Sequence, residues 1–259
     1  MAQQILDFLG YFFLVNPNVL GILLAWLVAL VFGAIWLACY RPPLIAKPWL
    51  WAVLGGGAII APIAITVASF PLKFGVSWVY DSFLSQETVT KWAVLLVNIP
   101  SIYLFGLVRE GFKLVPVVVY WWRKGKNIEP KLGLAAGAVS GAGFGILEAQ
   151  WTLNYAFASG WSWLKVQLEG PMALAVFWES FFLICFNIAT CALAGWGLAR
   201  GWIWQCYLLA AFAYLVMNYN TVLLGSGLIS PPQVEFIIAA WALIVTGVVL
   251  WLREKKSEA

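Results

Sequence analysis

The chain has 259 residues, of which 63% are hydrophobic, 10% are charged and none is histidine, with a formal net charge of +4 and a mean hydropathy of +0.90. Repeated apolar runs of about 20 residues define an all-α, polytopic transmembrane bundle, a single domain over 1–259 with no room for a soluble domain beside it. The basic residues stand at the ends of runs, which excludes a nucleic-acid surface. Four scattered cysteines without a CxxC pair, in a chain lacking histidine, argue against a disulfide framework or a metal site, and no cofactor is expected.

In chain order, residues 4–15 are too short to span and read as an interfacial helix ahead of Asn16-Pro17, with no cleaved signal peptide expected. Seven membrane segments follow, at about 19–39, 50–70, 92–122, 132–154, 172–199, 203–224 and 235–252. The third holds Pro100 and Pro116, which predicts a kink or break near Pro100. Arg41 and Lys47, then Arg123, Lys124, Lys126 and Lys131, then Arg200, then Arg253, Lys255 and Lys256 fall on alternate connections. That asymmetry places the N-terminus outside and the C-terminus in the cytoplasm of a multi-pass cell-membrane protein. Tryptophans near the span ends read as an interfacial belt.

Charges interrupt the apolar runs at Arg109, Glu110, Lys113, Glu148 and Glu179. A charge in hydrocarbon costs several kcal/mol unless it is paired or meets water, so such positions mark either a site or structural glue. At about 1.5 Å per residue, Glu110, Glu148, Asn187, Tyr214 and Asn218 all lie roughly 18–24 Å from the basic ends of their segments. Four helices therefore bring polar groups to one depth, and Glu110, Lys113, Glu148, Asn187, Tyr214 and Asn218 are expected to line one cavity. Two cations and two anions at 109, 110, 113 and 148 also allow a closed, neutral quartet that only holds helices in register. Gly133, Gly137, Gly141 and Gly145 repeat every four residues and form a ridge for close helix packing, with the third segment as the expected neighbour. Glu179 stands near a span end, where a carboxylate can snorkel.

The order Arg109-Glu110-Gly111-Phe112-Lys113, a basic loop, then Gly133–Trp151 with Gly143-Phe144 ahead of Glu148 resembles the PrsW and YhfC branches of the CAAX-protease superfamily, glutamic-type intramembrane proteases and their relatives. The resemblance covers about residues 90–225. It implies that Glu110 or Glu148 serves as base, with Lys113 beside them, and that Asn187, Tyr214 and Asn218 supply oxyanion donors. Arg109 stands where the family has its first glutamate, and Asn187 and Tyr214 stand at its two histidine positions.

Three functions compete. The first is a peptidase acting on a transmembrane or lipidated peptide within the bilayer. The second is a catalytically inactive relative, a pseudoprotease, that binds membrane-protein partners. The third is a small-solute transporter, disfavoured by the lack of an inverted repeat and by charge-free first and second segments.

Overall fold

Helix α1, Val19–Tyr40, begins where the Asn18 side chain accepts a hydrogen bond from the Gly21 amide at 2.8 Å, a standard N-cap. It ends at Arg41, whose left-handed backbone (φ 44°) directs its amide to the Ala38 carbonyl, and Pro42-Pro43 bar continuation. The computed structural model describes residues 18–69, 72 and 91–254, so the interfacial helix expected at 4–15 and most of the connection at 70–90 lie outside the described residues.

Helix α2 runs over Trp49–Ile63 and continues as a π-helical turn, Ala64–Ser69, just past Pro62. A proline cannot donate to the preceding turn, and the widened hydrogen-bond pattern accommodates the gap. Helix α3, Lys91–Arg123, is continuous through Pro100 and Pro116, so the break considered near Pro100 does not occur. Two carbonyls of α3 accept from side chains of neighbouring helices. The Tyr219 hydroxyl donates to Leu95 O at 2.8 Å, and the Ser140 hydroxyl donates to Lys113 O at 2.6 Å.

Helix α4, Pro130–Ala158, opens with proline at a position that needs no donor. A short helix α5, Trp163–Glu169, and a 3-10 turn, Gly170–Leu174, lead into α6, Ala175–Arg200. Gly201, at φ 79°, closes α6. Then come α7, Ile203–Gly225, and α8, Pro231–Glu254. Among the described residues every regular element is helical. Among the described residues six stretches are, by length and composition, apolar enough to cross a membrane: α1, Trp49–Thr66, α4, Trp163–Arg200, α7 and α8. Helix α3, at 33 residues, also has the length, and it carries Arg109, Glu110 and Lys113 in its second half.

Helix α4 is the centre. In its spanning window 89% of residues are buried, against 22% in α1, and it packs on α6, α2, α1 and α3. Its sequence explains this position. Alanine and glycine fill most of residues 133–145, and small side chains let backbones approach in a solvent where burying leucine brings no hydrophobic gain. The outer helices carry the bulk, with Leu20, Leu23, Leu27 and Leu30 of α1 exposed.

The glycine ridge does not face α3, as the loop connection suggested. A Cβ at Gly133, Gly137 or Gly141 would strike the Gly195, Cys191 or Asn187 carbonyl of α6, and one at Gly145 would sit 3.2 Å from Ile184 Cα. The descending partners mark an antiparallel α4–α6 pair. On another face Gly143 meets Leu54 O of α2, and Gly57 of α2 meets Ser140 O of α4. Helix α3 does touch α4, but it packs chiefly on α7, where Tyr207 donates to Leu107 O at 2.6 Å and Tyr103 to Leu208 O at 3.4 Å. Its bulky Phe, Leu, Val and Tyr residues cannot enter a glycine groove that the small residues of α6 fill.

Candidate functional site

Helices α3, α4 and α6 enclose a chain of hydrogen-bonded charges. Arg109 of α3 donates through Nη2 to Glu148 Oε1 of α4. Asn187 of α6 donates through Nδ2 to Glu148 Oε2 at 3.1 Å and accepts from Lys113 Nζ at 2.9 Å. Lys113 Nζ also donates to Thr190 Oγ1 at 3.1 Å and pairs with Glu110 Oε1, one helical turn back on α3. The result is one uninterrupted relay, Arg109–Glu148–Asn187–Lys113–Glu110, with equal numbers of cations and carboxylates.

The group is packed rather than hollow. Lys113 is 0% exposed, Glu110 1%, Asn187 2% and Glu148 7%. Aromatic faces take up the remaining cationic surface. The Arg109 guanidinium lies 5.4 Å from the ring centres of Phe144 and Tyr214, and Lys113 Nζ lies 5.7 Å and 5.9 Å from those of Phe144 and Phe186. Such contacts strengthen when desolvated, to about 2 kcal/mol. Phe144, fully buried between both cations, thus acts as an apolar spacer with a negative face toward each.

Each helix delivers its groups by simple spacing. Glu110 and Lys113 share a face of α3 at i, i+3, as do Asn187 and Thr190 on α6. Glu148 lies just beyond the ridge, where the close α4–α6 approach holds its carboxylate against Asn187. Ser140 and Cys191 reach Lys113 O from α4 and α6, at 2.6 Å and 3.5 Å, and so fix the α3 backbone at the lysine.

Of the six residues expected to converge, Glu110, Lys113, Glu148 and Asn187 share the relay directly. Tyr214 borders it through its ring. Asn218 does not join, because its amide donates to Tyr214 O of its own helix at 3.0 Å, the local backbone bond that competes with tertiary contacts. Glu179 stands apart, near the α5 end of α6. Arg109 left the sequence with two readings, the position of a lost glutamate and a member of a neutral quartet, and the structure makes it the partner of Glu148. It also missed Phe186 and the backbone ties of Ser140 and Cys191, for which apolar composition offers no signal. Thr190, i+3 from Asn187, was legible as a helix-face neighbour.

Comparison with protein-family models, with curated proteins and with solved structures gives no match. The chemistry of the relay therefore rests on its own side chains. Glu148 accepts from Arg109 and Asn187, and Glu110 accepts from Lys113. A general base needs a free lone pair within reach of a substrate or water proton, and the carboxylate oxygen of the relay that has no hydrogen-bond partner among the described residues is Glu110 Oε2, which is buried.

Proposed function

We propose that this chain is a multi-pass cell-membrane protein descended from the glutamic intramembrane protease fold, in which the charged layer no longer cleaves peptides but locks the helices that present a partner-binding surface. The observation that carries the reading is the occupation of Glu148 by Arg109, the residue standing where the protease pattern has its first glutamate. An arginine there converts a carboxylate pair, which like-charge repulsion would keep basic and reactive, into a neutral ion pair. Asn187 and Tyr214, at the histidine positions, act in the same direction: one bridges the two pairs and the other covers the guanidinium. The chain crosses the bilayer seven times, with α3 as the charged span, the N-terminus outside and the C-terminus in the cytoplasm. Partners are the lipid bilayer and transmembrane or lipidated segments of other proteins.

A second reading, a working peptidase, draws on the unpartnered Oε2 of Glu110, an acceptor oriented by Lys113. Reconstituted vesicles separate the two. The inactive reading expects no cleavage of transmembrane or prenylated peptide probes by the parent protein, and a loss of thermal stability in Glu148→Gln. Cleavage by the parent that disappears in Glu110→Gln, with the fold intact, would establish the peptidase instead.

A further inference from the structure

A second polar feature lies at the end of the bundle where α1 meets α2 and α3 meets α4. A cavity of about 440 Å³ opens between the last turn of α1, the start of α4 and the last turn of α8. Arg41, Lys47, Lys131 and Arg253 line it, against two carboxylates, Glu129 and Glu254. Charged groups of both signs share this space, yet among the described residues no ion pair joins any of these cations to either carboxylate. The contrast with the relay is informative, since there every cation has a carboxylate in contact. Here two positive charges remain in excess.

The cavity is built by the fold. Arg253 Nη1 donates to Cys39 O at 2.8 Å, tying the end of α8 to the end of α1. Arg41 is held in a left-handed conformation, φ 44°, that few non-glycine residues adopt. Pro130, at the first position of the 29-residue α4, brings the positive end of that helix's dipole to the wall. The inner wall is apolar, with Leu134 buried. The depth is that of lipid headgroups, since all three helices end here, next to exposed Trp251 on α8 and to the stacked pair Trp49 and Tyr120.

We infer that this cavity binds a phosphate group, with an anionic phospholipid headgroup as the source its depth favours. Two guanidinium groups offer planar paired donors, two ammonium groups offer point charges, and both are suited to phosphate oxygens. Basic pockets between spans recognise anionic headgroups in this way. The inference is independent of the function proposed for the charged relay, and it survives if that reading fails.

The test uses the full chain in nanodiscs of phosphatidylcholine with phosphatidylglycerol, with retained lipid counted by native mass spectrometry. The parent should retain phosphatidylglycerol in preference to phosphatidylcholine. K47Q/K131Q should lose about ten-fold of that retention. K124Q/K126Q, which removes the same charge from the α3–α4 connection outside the cavity, should match the parent, as should K47R/K131R. In a second arm, inorganic phosphate is added to the parent in pure phosphatidylcholine nanodiscs. A rise in melting temperature that K47Q/K131Q abolishes, without phosphatidylglycerol preference, would keep the phosphate site and assign it a soluble ligand. A parent with neither lipid preference nor phosphate response would overturn the inference, whatever the variants do. So would equal loss in the two glutamine pairs.

Discussion

Lys113 shows how a full charge persists in a bundle core. Its ammonium group has three donors, and Glu110, Asn187 and Thr190 take all three. Removing the lysine alone leaves Glu110 charged and unpaired, and breaking a buried pair on one side costs about 3–5 kcal/mol. Lys113→Met should therefore lower the unfolding free energy by about that amount in detergent titrations. Adding Glu110→Leu should restore most of the loss, since replacing both members of a buried pair by apolar residues is often neutral. If the double variant is as unstable as the single, the pair is not the unit that holds α3 in place. Asn187→Leu tests the bridge between the pairs. It leaves a Glu148 oxygen and a Lys113 proton unmet and should cost about 1–3 kcal/mol per orphaned group, read from the same titrations. Arg109 gives the plainest lesson at this scale. Spacing alone put it beside Glu110 and Lys113, and only the approach of α4 decided that its partner is Glu148.

Among the elements, α4 carries the packing. Gly141→Ala would drive its Cβ into the Asn187 carbonyl and within 2.9 Å of Ile188 Cα, backbone atoms that cannot move without separating the helices. The same separation would loosen Asn187, which the relay needs. A loss of about 1–3 kcal/mol is expected, as for other overpacked cores. Gly55→Ala on α2 is the matched control, because nothing lies within 4 Å of its Cβ position. There the substitution should be neutral or stabilising by about 0.5–1 kcal/mol, the ordinary helical preference for alanine over glycine. Comparable losses in both variants would show that the glycines matter for backbone freedom rather than for contact. The limits of the long helices were readable in the sequence to within a few residues from run length, whereas the short helix α5 was not. The partner of the glycine ridge was not. In lipid the outer faces are as apolar as the inner ones, so periodicity cannot rank neighbours, and the short α3–α4 connection pointed to contact without saying which faces meet.

For the whole molecule, the connections flanking α4 lie at its opposite ends, so they must open to opposite sides if α4 spans. With Cys39 replaced by serine and the other three cysteines buried, single cysteines at Lys126 and Ser159 report on the two sides. An impermeant maleimide should label Ser159→Cys in intact cells and reach Lys126→Cys only after permeabilisation. Labelling of Lys126→Cys in intact cells would reverse the proposed orientation. Labelling of both would remove α4 from the spans.

By itself the sequence determined the membrane class, the long helices and the spacing of the polar groups along them. Those follow from hydropathy, residue spacing and rise per residue, all local quantities. Tertiary structure decided which faces meet: that α4 lies at the centre, that α6 fills its glycine groove, that Arg109 neutralises Glu148, and that Asn218 turns back to its own helix while Asn187 bridges two ion pairs. These outcomes depend on which backbones approach to within a hydrogen bond's length. In a bundle surrounded by hydrocarbon, that is settled by small-residue shape and by the pairing of buried charges, neither of which leaves a periodic trace along the chain.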